Sequence, residues 1–177
     1  ACGYVGTLGA LVHEDFEKVA NTTPEAVELH GLLRAMVDAG KSSVALEVSS
    51  HALALERVSG IEFKAAVFTN LTRDHLNFHQ TDENYFNAKA RLFEELEEAR
   101  GNRAIINADD PAAPALLERV DVPVLTFGCE SEAGVRLLEA VPEDEGACLH
   151  VQTPLGKIQV RTRLTGRFNC YNVLAAV

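Results

Sequence analysis

Short runs of β-branched and aliphatic residues alternate along the chain with segments whose apolar positions recur at helical spacing, and no repeat, low-complexity tract or long linker interrupts them. This rhythm predicts an α/β sheet. The first apolar stretch, 4–8, leads to Asn21-Thr22-Thr23-Pro24-Glu25, where Thr23 is placed to cap a helix with Pro24 in its first position. Ala26, Leu29, Leu32, Leu33, Met36 and Val37 share one face of that helix, and Gly40 stops it. Residues 43–48 read as a strand, with Ser49-Ser50 capping a short helix through Val58. Residues 64–69 read as a second strand, and after a polar loop Thr81 opens a strongly patterned helix to about Ala99, closed by Gly101. Strands at 103–107 and 122–127 flank a helix that begins with Asp110-Pro111.

From about Val135 the pattern becomes strand, turn, strand, over 135–141, 148–153 and 157–164, and strands so close in sequence are expected to pair antiparallel. Gly166 and Asn169 precede a final apolar helix running to Val177. The expectation is therefore a mostly parallel α/β part over 1–133, antiparallel strands over 134–165 and the start of a helix over 166–177, with both ends reading as cuts through a larger fold.

Composition narrows the function classes. A chain of 177 residues, 47% of them apolar, can bury one sizeable core. A formal net charge of -10 without a Lys and Arg cluster disfavours nucleic acid and anionic lipid, which leaves a small-molecule partner. Neither a long uncharged apolar run nor a signal-peptide pattern occurs, so a cytoplasmic protein without membrane insertion is expected. Cys2, Cys129, Cys148 and Cys170 lie far apart, outside any CxxC pair, and read as ordinary reduced thiols.

Three features could carry chemistry. Glu47 falls near the end of a strand, at a position that reads as buried; an acid there suits magnesium, and a glutamate on an edge strand facing water is the alternative. The loop 70–79 holds His75 and His79 at a spacing that suits two ligands on one helical face. Leu76 stands where a zinc protease would place its glutamate, and loop histidines are commonly solvated or hydrogen-bonded instead. In the helix 82–99, Tyr85, Phe86, Leu92, Phe93 and Leu96 lie on one arc with Lys89 near its middle. Lys89 either snorkels to the surface or is buried; burial favours the neutral amine, which can add carbon dioxide and become a carbamate, a metal-binding carboxylate on a long stem.

Five motifs resemble, in order and spacing, the central domain of Mur ligases of the MurE type. They are Asn21-Thr22-Thr23-Pro24, Leu46-Glu47-Val48-Ser49-Ser50-His51-Ala52-Leu53, the run from Thr69 to His79, the segment 85–93 around Ala88-Lys89, and Gly166-Arg167-Phe168-Asn169-Cys170-Tyr171-Asn172. The resemblance covers nearly the whole chain and is least over 120–156. It implies ATP-dependent amide formation in peptidoglycan synthesis. A D-glutamyl γ-carboxylate of UDP-N-acetylmuramoyl-dipeptide takes the γ-phosphoryl group of ATP, and the amine of an incoming diamino acid attacks the acyl phosphate. By the same resemblance Glu47, His75 and a carbamylated Lys89 look like magnesium ligands, and His75 and Lys89 also carry the catalytic role. Thr22, Thr23, Ser49 and Arg57 look like contacts to the muramoyl nucleotide. Asn169 and Asn172, on one side of the starting helix, look like part of the adenine pocket. A monomer is implied.

The sequence departs from that pattern in places. The family's phosphate-binding loop ending Gly-Lys-Thr would precede residue 1, and the N-terminal uridine-binding and C-terminal amino-acid-binding domains are not in this sequence, so the chain alone is expected to be inactive. Asn77 and Arg73 stand where many relatives carry an aspartate and a neutral residue. Competing readings are a muramoyl-nucleotide-binding homologue without turnover, another Mur-like amide ligase, and a hydrolase with a carbamate-bridged metal pair. The choice between meso-diaminopimelate and lysine belongs to the C-terminal domain.

Overall fold

The computed structural model of the protein describes residues 1–72 and 75–177; Arg73 and Asp74, in the loop motif above, lie outside the described residues. The chain divides into two compact units, Ala1–Glu62 with His75–Arg91, and Phe63–Asp74 with Leu92–Val177. No helix among the described residues is long and apolar enough to cross a membrane.

In the first unit a three-stranded sheet has the order β2-β1-β3, built from β1 (Cys2–Gly6), β2 (Gly9–Leu11) and β3 (Ser43–Leu46). The apolar stretch expected as one strand over 4–8 is instead a hairpin. Gly6 pairs with Gly9 across Thr7-Leu8, and Gly9 sits at φ +114°, a conformation that favours glycine. β1 and β3 run parallel, with Tyr4 opposite Ala45 and Val5 opposite Leu46. Helix α1 (Ala26–Asp38) lies on the crossover between them and buries Leu29 and Met36, while Val37 is exposed. A Cβ on Gly3 would stand 2.6 Å from Met36 Sδ, so the bare backbone of β1 is what lets Met36 seat.

The cap expected of Thr23 is not made. Glu25 is the N-cap residue without a side-chain bond, and Pro24 precedes the helix, because the Thr23 hydroxyl is engaged elsewhere. Ser49 does cap α2 (Ser50–Ala54), its Oγ accepting from Ala52 N at 3.2 Å. A short helix, α3 (Leu76–His79), occupies the segment expected as a polar loop.

Helix α4 (Asp82–Glu94) opens as expected, with Thr81 Oγ1 accepting from Asn84 N at 3.1 Å, but it ends five residues earlier than its pattern suggests. Glu94, Glu95, Glu97 and Glu98 crowd its negative end, and the chain passes into a 3-10 turn, Glu98–Arg100, before Gly101.

The second unit holds a six-stranded sheet of order β4-β5-β6-β7-β8-β9. Its strands are β4 (Ala65–Phe68), β5 (Arg103–Asn107), β6 (Val124–Gly128), β7 (Val135–Glu143), β8 (Gly146–Thr153) and β9 (Gly156–Thr162). The first four run parallel, with the short helix α5 (Ala113–Leu117) between β5 and β6, and the last two turn antiparallel as the sequence implies. The two parts are one sheet, joined where Phe127 and Gly128 pair with Val135 and Arg136. Helix α6 (Arg167–Ala176) places Leu174 in a core of Phe127, Val135, Leu149 and Val151.

One carboxylate fastens that helix to the strand ends. Asp109 accepts from three successive backbone N–H groups, Cys129 (2.7 Å), Glu130 (2.9 Å) and Ser131 (2.7 Å), and from the Tyr171 hydroxyl on α6 (2.9 Å). Partial burial pushes its carboxyl up, but the bonds from Ser131, Glu130 and Cys129 outweigh that and bring it from 3.8 to about 2. Burial, with the nearby Asp109 and Cys129, pushes the Tyr171 phenol up to about 12, so it remains a donor. Because the folded carboxyl titrates below the unfolded one, its contribution is complete above roughly pH 5 and is lost as pH falls toward 2. Asp109→Asn is expected to cost about 1–2 kcal/mol at neutral pH. Urea midpoints taken from pH 7 downward should show wild type and variant converging in acid; a gap independent of pH would contradict this role.

Candidate active site

Parallel pairing of β1 and β3 sets Glu47 beside the hairpin turn. Its N–H donates to Val5 O at 2.8 Å, one step past the last strand pair. Because β3 is an edge strand of its sheet, the burial expected for Glu47 is not found, and the residue is exposed. Its carboxylate is nonetheless fixed. The Tyr4 hydroxyl donates to Oε1, while Oε2 accepts from Thr7 N at 3.1 Å and from Thr7 Oγ1 at 2.7 Å. A Cβ on Gly6 would stand 2.6 Å from Glu47 Cδ, so only glycine leaves room for this arrangement. Partial burial pushes the carboxyl up, but the bonds from Tyr4 and Thr7 prevail and hold it below its ordinary value, keeping it ionised at neutral pH.

Hydroxyl groups surround the same strand end. Thr7 Oγ1 lies 3.2 Å from Thr22 Oγ1. Thr23, only 1% exposed, donates to Glu47 O at 2.8 Å and accepts from Ser49 N at 2.9 Å, so it pins the segment 47–49 from inside. Arg57, with its side chain 15% exposed, donates through Nη1 to Thr23 O at 3.1 Å and pairs through Nη2 with Glu25 at 2.6 Å. Its Nε is buried without a hydrogen-bond partner. The structure thus brings Thr22, Thr23, Ser49 and Arg57 together beside Glu47.

The histidines form a second group in the same unit. His75, exposed and at φ +59°, precedes α3, and His79 at its far end is buried with Nε2 2.9 Å from Ser50 Oγ. The His51 ring lies 4.8 Å from His75, 5.5 Å from His79 and 4.2 Å from Phe78. Burial first, and then His51 and His75, push His79 below its ordinary value. Tyr85 stands 6.2 Å from His75 and 5.2 Å from His79, and Lys89, half-buried, holds Nζ 5.4 Å from the Tyr85 ring. Lys89 is thus half-buried beside Tyr85, which itself packs against His75 and His79. Among the described residues no three or more His, Cys, Asp or Glu side chains form a group able to hold a metal. Ser50, three residues after Glu47, ties the strand end to this group through His79.

In the other unit, Asn169 and Asn172 share one side of the first turns of α6. Asn172 Nδ2 donates to Asn169 Oδ1 at 3.1 Å, and Asn169 Nδ2 donates to Thr165 O at 2.7 Å. Sequence reasoning missed Tyr4, Thr7 and Ser50. Gly6-Thr7-Leu8-Gly9 was the available signal for the first two, since a two-residue turn between glycines places Thr7 at the carboxyl end of β1.

Residues 1–177 match the Mur ligase middle domain, and the chain belongs to that family. The UDP-N-acetylmuramoyl-L-alanyl-D-glutamate--2,6-diaminopimelate ligase of Geobacter sulfurreducens is 43% identical over 177 residues, covering 98% of this chain and 35% of that protein. The enzyme of the same name from Gloeobacter violaceus is 46% identical over 175 residues, covering 99% of this chain and 35% of that one. A solved structure of a ligase of that name superposes with a TM-score of 0.83 at 31% identity, over 99% of this chain and 36% of its own. The chain spans about a third of the length of the relatives it matches.

Thr23→Val should separate pinning from surface contact. Loss of the buried hydroxyl strands Ser49 N–H and Glu47 C=O and is expected to cost about 1–3 kcal/mol, whereas Thr22→Val, half-exposed, should stay within about 0.5 kcal/mol. Equal denaturation midpoints for the two variants would contradict the pinning.

Proposed function

We propose that the chain is the nucleotide- and substrate-handling part of a ligase that joins 2,6-diaminopimelate to UDP-N-acetylmuramoyl-L-alanyl-D-glutamate, using ATP, in peptidoglycan synthesis. The observation that carries the reading is the ionised, immobilised carboxylate of Glu47 at the carboxyl end of β3, beside Thr22, Ser49 and Arg57. In α/β sheets ligands gather at the carboxyl ends of strands. The names of the relatives supply the substrate class.

A carboxylate is a poor electrophile with a poor leaving group, and phosphorylation by ATP corrects both. The γ-carboxylate oxygen takes the γ-phosphoryl group, ADP leaves, the amine attacks the acyl carbon, and phosphate departs with the C–O bond. Arg57 suits an anionic group of the muramoyl substrate, because its guanidinium is already oriented by Glu25 and Thr23. Thr22 and Ser49 offer hydroxyls beside it, with Thr23 holding Ser49 in place. Asn169 and Asn172 present amides for the adenine ring, although each now bonds within the helix start and must exchange those bonds on binding.

The Glu47 carboxylate suits magnesium, which takes oxygen ligands. Three hydrogen bonds fill three of the roughly four acceptor positions of the Glu47 carboxylate, leaving it competent as a one-oxygen ligand. With His75 it would hold magnesium, and a carbamylated Lys89 would help place a second ion; when bound these would neutralise phosphate charge. Formation of the carbamate needs the Lys89 amine, carbon dioxide and loss of one proton.

In the intact protein, ATP consumption should require both the muramoyl dipeptide nucleotide and the diamino acid. Lys89→Ala should lower turnover at least about 100-fold, with partial rescue by a small carboxylate such as formate. Full turnover of the variant without any additive would refute the carbamate role, and ATP consumption indifferent to either substrate would refute the ligase reading.

A further inference from the structure

We propose that Tyr4 and Thr7 are positioning residues that make Glu47 a ligand through Oε1 alone, and that Thr7 thereby sets the preference of the site for small divalent cations over calcium. The proposal rests on Glu47 being a cation ligand. Each carboxylate oxygen has two acceptor positions. Both positions on Oε2 are filled by Thr7, through its N–H and its hydroxyl, while Oε1 takes only the Tyr4 hydroxyl. One position remains, and it is on Oε1.

The cradle cannot readily relax. Thr7 N–H is backbone, fixed by the turn between β1 and β2, and Glu47 itself extends the β1–β3 ladder through its own N–H to Val5 O. Thr7 is held from its other side by Thr22, 3.2 Å away. Since the single Thr7 hydroxyl proton goes to Oε2, Thr22 is the donor in that contact, and the hydroxyls point in sequence toward the carboxylate.

Cation choice follows from ligand geometry. Magnesium and manganese accept one carboxylate oxygen in a compact octahedral shell, whereas calcium takes more ligands at longer distance and readily uses both oxygens of a carboxylate. A carboxylate whose second oxygen already accepts two donors from Thr7 disfavours that option. Removing the Thr7 hydroxyl opens one position on Oε2 and permits a two-oxygen mode. Removing the Tyr4 hydroxyl leaves the mode unchanged but frees the carboxylate to rotate.

The test is Mn2+ binding to the intact protein with ADP present, followed by electron paramagnetic resonance, with Ca2+ as competitor. Thr7→Val should improve Ca2+ competition against Mn2+ by about 10-fold, Thr7→Ser should keep the wild-type ratio, and Tyr4→Phe should weaken Mn2+ by several-fold with the ratio unchanged. Glu47→Gln should remove Mn2+ binding at the site. If Glu47→Gln does so while Thr7→Val leaves the ratio at its wild-type value, the positioning proposal is overturned and the cation role of Glu47 stands. If Glu47→Gln binds Mn2+ as wild type does, the cation role itself falls, and the proposal with it. Urea midpoints of each variant, compared with wild type, separate these outcomes from loss of folding.

Discussion

The hydrogen bonds that Tyr4 and Thr7 give to Glu47 organise the first unit. They exist because β1 and β3 run parallel and in a register that carries Glu47 one step beyond Leu46, level with the turn that follows Gly6. Each contributing feature is local and cheap: a two-residue hairpin, a glycine with no side chain, a hydroxyl next to a free backbone N–H. Together they convert an exposed glutamate on an edge strand, which would otherwise sample many rotamers, into a fixed anion. The residues proposed to face the substrate lean on the same element, since Thr23 holds the backbone at 47 and 49 and Arg57 holds the backbone of Thr23.

The second unit contains a useful contrast. Asp109 is also a carboxylate near a strand end gripped by N–H and O–H donors, but it takes four of them, Cys129, Glu130 and Tyr171 on Oδ2 and Ser131 on Oδ1. Its work is to fasten α6, and with it Asn169 and Asn172, to the sheet. Glu47 keeps one position open.

Much of the architecture was legible in the sequence. The alternation of apolar runs and helical faces gave the α/β class, and the change of texture at Val135 marked where parallel pairing yields to antiparallel. The misplaced parts share a cause. Thr23 has every local attribute of a helix cap, yet its hydroxyl is taken by a strand 24 residues away. The hairpin at Thr7-Leu8 hides because Gly9, Ala10 and Leu11 continue the preceding apolar run. The α3 turn hides because Leu76-Asn77-Phe78-His79 is too short to show a period. Glu47 and the loop histidines could be picked out as candidates, but the donors that orient Glu47 come from the opposite end of a parallel crossover, which periodicity does not report. Lys89 was legible as an anomaly on an apolar arc; that its Nζ stands over Tyr85, which packs against His75 and His79, required the fold.

The central claim, that a restrained Glu47 offers one oxygen to a divalent cation, is tested most directly by a crystal structure of the intact protein with Mn2+ and ADP, read from the anomalous signal of the metal. The account predicts a peak about 2.1 Å from Glu47 Oε1, with Oε2 still bonded to Thr7. A peak shared equally by both oxygens, or metal density away from residue 47 while the Tyr4 and Thr7 bonds persist, would contradict it.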